Sequence, residues 1–310
     1  MMISLVRRFH LAWRALGAIA LLLNMASATG DDNPGARLVE GAGGVPLVVQ
    51  EWGNPDGIPV LLLHGFSFGS VAFKHQVGQL EEELRLIAPD LRGHGLSGKP
   101  WTEAAYAGTE VWAGDISRIV AAYDLEKPLI VAWSFGGYVA VNYLRHCGSN
   151  CASGLMLVGS LAGIVPRPPP PDPGDVARPP MKGNARVDNY QQLFDNAEWL
   201  ARVMSYQPPS DADLLEKQFT IVMMPPHVRR AMAGLALDNQ DIAGDLRLPV
   251  MFVHGAKDTS VPAASVSAAV AKLANARSLS LPNVGHSPFA ETPALFNQIL
   301  LDCARTTRTP

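Results

Sequence analysis

The sequence predicts an α/β fold, a mostly parallel sheet covered by helices on both faces with a helical cap inserted into it. Three observations predict it. Short apolar, β-branched runs recur with helical patterns and turn signals between them, and that alternation places crossover helices on the faces of a parallel sheet. The alternation stops between Gly163 and Leu246 and strand-like runs resume at Leu248. The strands on either side read as parts of one sheet, which favours an insertion over a second independent domain. The chain of 310 residues, 48% hydrophobic and 17% charged, is globular in composition and long enough for one large α/β core or two modest domains.

The first segment carries Arg7, Arg8 and Arg14 without acids, then an apolar run from Leu16 to Leu23, then Ala26-Ser27-Ala28. These are the three regions of a secretory signal peptide, cleaved after Ala28. The apolar run is shorter than the roughly 20 residues that span a bilayer, so no stable membrane anchor is expected. The expected boundaries are a leader over 1–28, a core over 29–163 and 246–310, and a cap over 164–245. The protein is expected to be exported, to a periplasm or to the medium.

Within the core, Arg37 to Val39 predicts an edge strand. Further strands are predicted at Leu47 to Gln50, Pro59 to Leu63, Leu84 to Ala88, Leu129 to Val131, Leu155 to Val158, Val250 to Val253 and Ser278 to Leu281. Helical periodicity covers Gly69 to Leu84, Tyr106 to Tyr123, Phe135 to Arg145, Ser265 to Ala274 and Pro293 to Ala304. The last of these has Thr292 as its N-cap and Pro293 in its first turn. The insertion opens on a stiff proline run from Val165 to Pro173, unsuited to a helix interior or a central strand. Helices are predicted after it at Tyr190 to Met204, Asp211 to Val222 and His227 to Leu237.

Loss of the leader leaves 22 basic residues against 28 acidic ones, a net charge of −6. Without a basic run the chain has no electrostatic handle for nucleic acid or an anionic membrane, and small uncharged substrates suit it better. In an oxidising compartment Cys147 and Cys151 can bridge across a short loop, whereas Cys303 is expected to be buried near the C-terminal helix. No Cys-His grouping has zinc spacing, so neither a metal nor a cofactor is expected.

The chemistry centres on Ser134. The run Leu129-Ile130-Val131-Ala132-Trp133 breaks into a tight turn at Ser134 and a helix at Phe135-Gly136-Gly137, the layout of a nucleophile elbow. Such a turn holds its serine at positive φ with the hydroxyl facing outward, and small residues are expected two before and two after it. They are Ala132 and Gly136, one methyl group more than the usual glycine pair, with the two positions expected to approach each other. A serine hydroxyl needs a base and a carboxylate to orient that base. Asp258 follows the strand ending near Val253, and His286 follows the last strand. In an open parallel sheet these carboxyl ends share one rim. The backbone N-H groups of Phe66, after His64-Gly65, and of Phe135 are the expected oxyanion donors. His64 is assigned to loop structure. Asp90 and Arg92, in the glycine-rich segment from Ala88 to Pro100, are assigned to ordering the backbone. Each residue alone has a bland reading, a solvated acid or a packed histidine; their order after successive strands is what argues for catalysis.

On His64-Gly65-Phe66, the Asp90 to Pro100 loop, the Ser134 elbow and the Asp258 and His286 loops, the chain resembles the α/β-hydrolase superfamily. The likeness covers nearly all of the mature chain outside the cap, and its nearest-looking members are small capped serine esterases and cofactor-free haloperoxidase-like or perhydrolase-like proteins. The resemblance implies an eight-stranded α/β-hydrolase core, a helical cap and a Ser134, Asp258 and His286 triad that cleaves a small carboxylic ester through an acyl-enzyme. Activity should then fall as pH drops through roughly 6 to 7, because the base must be neutral. Perhydrolysis, peptide cleavage and carbon-carbon bond hydrolysis use the same residues. A noncatalytic small-ligand binder on this fold is the reading of another class. Met181, Met204, Met223, Met224 and Met232, with Phe194, Trp199 and Phe219, read mainly as cap core and secondarily as an apolar pocket lining.

Overall fold

The computed structural model describes residues 35–166 and 189–308; the expected leader, and Arg167 to Asp188 with Met181, lie outside them. Its strands are β1 (Arg37–Glu40), β2 (Pro46–Gly53), β3 (Ile58–Leu63), β4 (Leu84–Pro89), β5 (Leu129–Trp133), β6 (Gly154–Val158), β7 (Val250–Gly255) and β8 (Ala276–Leu281). They form one sheet in the order β1-β2-β4-β3-β5-β6-β7-β8. β2 is antiparallel to both its neighbours, and every other pairing is parallel. The eight strands lie where the apolar runs place them.

The helices are α1 (Thr109–Ala122), α2 (Phe135–Cys147), α3 (Tyr190–Val203), α4 (Asp211–Val222), α5 (Pro226–Ala233), α6 (Ala263–Val270), the single turn α7 (Pro288–Glu291) and α8 (Pro293–Arg308). Side chains alternate across β3: Leu61 and Leu63 enter one core with Trp112 and Ile116 of α1, Val139 of α2 and Val266 of α6. Val60 and Leu62 enter the opposite core with Phe296 and Leu300 of α8. Burial on both faces explains why β3 reads as an unbroken apolar run rather than an alternating one. Between β6 and β7, α3 and α4 start on polar caps. Asn189 accepts from the Gln192 amide at 2.9 Å and Ser210 from the Asp213 amide at 3.2 Å.

The expected helix over Gly69 to Leu84 is replaced by a 3₁₀ turn at Ser70–Phe73 followed by further turns. Its polar groups bond outward. The Ser70 amide donates to Asp90 at 2.7 Å, and Gln76 reaches across to the Phe289 carbonyl and to Asn297. Tertiary partners thus outcompete an intrinsically helical pattern. The helix expected from Tyr106 begins only at Thr109, and the one expected to reach Leu237 stops at Ala233, before Gly234. Thr292 holds the position before α8, where its carbonyl accepts from the Phe296 amide. Its hydroxyl, however, donates backward to the Pro288 carbonyl instead of capping α8. Cys147 and Cys151 are unbridged thiols, Cys151 donating to the Cys147 carbonyl at 2.9 Å. Burial pushes the Cys147 thiol up to about 12 and that of the buried Cys303 up to about 11.

Candidate active site

The topology itself gathers the site. β3, β5, β6, β7 and β8 are consecutive parallel neighbours, so the loops carrying Phe66, Ser134, Gly159, Asp258 and His286 all leave the same edge of the sheet.

Ser134 follows β5 directly and sits at φ 52, ψ −115, a conformation that costs a non-glycine residue roughly 1–3 kcal/mol. Surrounding bonds hold it there. Its N-H donates to the Val158 carbonyl at 3.0 Å, and its carbonyl accepts from the Gly137 amide at 3.0 Å and from Ser160 Oγ at 2.6 Å. A Cβ at Gly136 would lie 2.4 Å from the Leu63 carbonyl oxygen and 2.8 Å from that of His64. The nearest atoms to position 136 therefore belong to the end of β3. The Ala132 methyl is accommodated fully buried in the core.

Asp258 and His286 meet. His286 Nδ1 lies 2.8 Å from Asp258 Oδ2, with side chains 4% and 0% exposed. Asp258 Oδ1 accepts from the Ser260 and Val261 amides at 2.7 and 3.0 Å, so the carboxylate is pinned by its own loop. An ionised carboxylate can only accept, so Nδ1 donates in this pair, which in a neutral ring leaves the lone pair on Nε2. Gly159, at φ 50, packs against the pair. A Cβ there would lie 3.0 Å from His286 Nδ1 and 3.2 Å from Asp258 Oδ2, so only glycine leaves the pair undisturbed. Ser134 is brought to the same edge, partly exposed. No hydrogen bond joins its Oγ to His286 among the described residues, and such bonds commonly tighten only around bound substrate.

Phe66 and Phe135 flank the serine, their rings edge-to-face at 6.4 Å. Phe135 opens α2, where a helix's first amides have no intrahelical acceptor. A Cβ on Gly65 would come within 3.2 Å of Ser134 Cβ, so the His64-Gly65-Phe66 turn lies directly against the serine. His64 is structural, as expected: it is buried, accepts from the Leu91 amide at Nε2 (2.9 Å) and lies 2.8 Å from the Gly65 carbonyl through Nδ1. Burial holds its pKa below the ordinary histidine value. Asp90 accepts from the Ser70 and Leu96 amides, and Arg92 pairs with Asp115 while donating to the Ala42 and Ala105 carbonyls. Both order backbone. Among the described residues no three His, Cys, Asp or Glu side chains converge as a metal site, and no helix is long and apolar enough to cross a membrane.

A model of the alpha/beta hydrolase family matches residues 60–299. The chain belongs to the alpha/beta hydrolase family. This α/β hydrolase is 27% identical over 246 residues to a pimeloyl-acyl-carrier-protein methyl ester esterase of Aromatoleum aromaticum, covering 76% of this chain and 93% of that protein. It is 25% identical over 272 residues to a non-heme chloroperoxidase of Streptomyces lividans, 83% of this chain and 95% of the other. Among solved structures, one from Burkholderia cenocepacia, provisionally assigned as an aryl esterase, superposes with a TM-score of 0.78 at 28% identity. The match covers 88% of this chain and 98% of that one. These likenesses support hydrolase activity.

Three residues of the α/β hydrolase site escaped the sequence reading. Trp133 donates its indole N-H to the His286 carbonyl at 2.8 Å. Glu291 accepts from the amides on both sides of His286, Gly285 at 3.0 Å and Ser287 at 3.3 Å, and from Tyr206 in the inserted segment at 2.7 Å. Ser160 secures the Ser134 carbonyl. Glu291 had a sequence signal, an acid five residues after the histidine, though nothing in the sequence reveals its acceptors. A cavity of about 210 Å³ is lined by Trp133 and Ser287, by Lys217 and by Glu291; Ser134 and His286 do not line it. Of the apolar residues in the insertion, Met204, Met224 and Met232 are buried, whereas Phe194 and Phe219 are more than half exposed. Core packing accounts for the methionines, and those two phenylalanines face solvent.

Proposed function

We propose that this α/β hydrolase is an exported serine ester hydrolase. Ser134 Oγ attacks the carbonyl carbon of a small ester while His286 Nε2 takes its proton, and the oxyanion accepts from the Phe66 and Phe135 amides. His286 then protonates the leaving alcohol, and the acyl group remains on Ser134. Water attacks that acyl carbon, His286 takes the water proton and returns it to Ser134 Oγ, and the carboxylic acid departs. Asp258 keeps the imidazole in the tautomer with Nε2 free. Residues 164–245 act as a cap over the site, and cleavage after Ala28 releases the mature protein to a periplasm or the medium.

The observation that carries this reading is the 2.8 Å Asp258–His286 pair, on the same sheet edge as a serine held at φ 52. Relatives named as esterases support the ester as substrate. Hydrolysis of short p-nitrophenyl esters should be lost in Ser134→Ala and His286→Ala, and a fluorophosphonate should label Ser134. Equal rates in all three proteins, or an adduct elsewhere, would sink it. Similarity to a chloroperoxidase favours perhydrolysis as the second reading. It requires that hydrogen peroxide compete with water for the acyl group, measured as peracid formed in the same assay.

A further inference from the structure

Two arginines are buried among the described residues, Arg92 and Arg229, at 1% and 7% exposure. Their surroundings differ sharply. Arg92 Nε and Nη2 both donate to Asp115 at 2.6 Å, so that charge is neutralised in place. Arg229, on α5, has no carboxylate within 4 Å among the described residues. Its Nε donates to the Met224 carbonyl at 3.1 Å and its Nη2 to that of Ile221 at 2.8 Å, closing the end of α4. Those bonds use two of the five N-H donors of a guanidinium, and Nη1 has no partner among the described residues.

A buried cation without a counter-ion is costly unless something else supplies the negative charge. Burial alone brings the Arg229 pKa down to about 10, with no acid raising it. Its position is what gives this meaning. The guanidinium carbon lies 5.8 Å from the centroid of the Phe66 ring, and Phe66 follows the glycine that lies against Ser134. The helix that carries Arg229 is itself firmly seated. His227 stacks on Trp101 at 3.8 Å and approaches the Lys99 carbonyl at 3.3 Å, while Val228 fills the space beside Gly93.

We propose that Arg229 is an anion receptor beside Phe66, and that the ester cleaved at Ser134 carries a carboxylate on the part that reaches α5. This rests on the ester-hydrolase reading above and narrows its substrate class to acidic esters. It also revises the expectation, drawn from a net charge of −6, that uncharged substrates suit the protein better. Net charge acts at long range and is screened within about 8 Å at physiological salt. A desolvated guanidinium acts at contact, where its planar fork matches a carboxylate.

The carboxylate can belong to the acyl or to the alcohol portion, and two substrate pairs separate these. Monoethyl glutarate is compared with ethyl pentanoate, and acetyl glycolate with isobutyl acetate, in wild type, Arg229→Lys and Arg229→Gln. In at least one pair the charged ester should have the higher kcat/KM in wild type. That preference should fall by about ten-fold or more in Arg229→Gln and be partly retained in Arg229→Lys. The pair that responds tells which portion carries the acid. A wild-type preference near unity in both pairs, or one unchanged in Arg229→Gln, overturns the proposal; a loss shared equally by charged and neutral esters assigns Arg229 to closing α4 and does the same. Thermal unfolding with and without glutarate at matched ionic strength gives a readout independent of turnover. Glutarate should raise the midpoint of wild type more than that of Arg229→Gln, and an equal shift counts against the receptor. Glutarate stabilisation without hydrolysis of any ester would keep the receptor and remove the hydrolase reading.

Discussion

Trp133 and His286 are joined by a hydrogen bond from the indole N-H to the backbone carbonyl, 2.8 Å long and buried. The residue before the serine thus holds the loop of the residue proposed as its base. Because Trp133 is the last residue of β5, any shift of that strand moves Ser134 and His286 together.

Trp133→Phe keeps an aromatic ring and removes the donor. The buried His286 carbonyl is then unsatisfied, at a cost of about 1–3 kcal/mol. Urea unfolding should show that loss, and ester kinetics should show a lower kcat with little change in KM. Unchanged stability and kcat would mean that the bond does not position His286.

Glu291 brackets His286 through the Gly285 and Ser287 amides and ties in Tyr206. Glu291→Gln leaves one accepting oxygen for three amides and removes the charge. A loss of about 1.5–3 kcal/mol in unfolding free energy is expected, with a reduced kcat. Faster proteolysis near Tyr206 should accompany it. Intact proteolytic resistance in the variant would show that Glu291 does not tether the inserted segment.

Position 136 of the elbow is closed off by the end of β3. Gly136→Ala places a methyl group against the rigid Leu63 carbonyl and should cost about 1–3 kcal/mol or more, with loss of activity. Ala132→Gly restores the usual glycine yet removes a buried methyl and loosens a central strand. It should cost about 1–2 kcal/mol without raising the rate. Melting curves and ester turnover for the two variants decide this, and a faster Ala132→Gly would refute it.

His94 and His64 make the fold sensitive to acid. Burial holds the His94 pKa well below, and the His64 pKa below, the ordinary value of 6.5. The unfolded chain therefore takes up protons first as pH falls. The stability these neutral rings contribute is fully present above about pH 6.5 and is lost as pH drops toward their folded values. His94 donates no bond that requires charge, and its Nε2 is sealed without a partner. Urea midpoints should fall between about pH 7.5 and 5, and His94→Asn should flatten that slope. An equal slope in the variant would place the acid sensitivity elsewhere.

Legibility followed the range of the interaction. Ser134, Asp258 and His286 were readable because each follows an apolar run, and parallel strands bring such ends to one edge regardless of the loops between them. The helical pattern from Gly69 to Leu84 does not become a helix because Asp90, Phe289 and Asn297, which capture its polar groups, are distant in the chain. Thr292 stands directly before α8 as expected, but its hydroxyl bonds the Pro288 carbonyl behind it.

The strand and helix alternation, the eight strand positions and the turn chemistry around Ser134 are written locally in the chain, since they depend on periodicity and on neighbouring residues. The contact of position 136 with the Leu63 carbonyl, the hold of Trp133 and Glu291 on the His286 loop, and the burial of Arg229 without an acid arise only once the chain is folded. Each of these is a contact between segments far apart along the chain. Close packing and the need to satisfy buried polar groups select such contacts, and local residue patterns do not encode them.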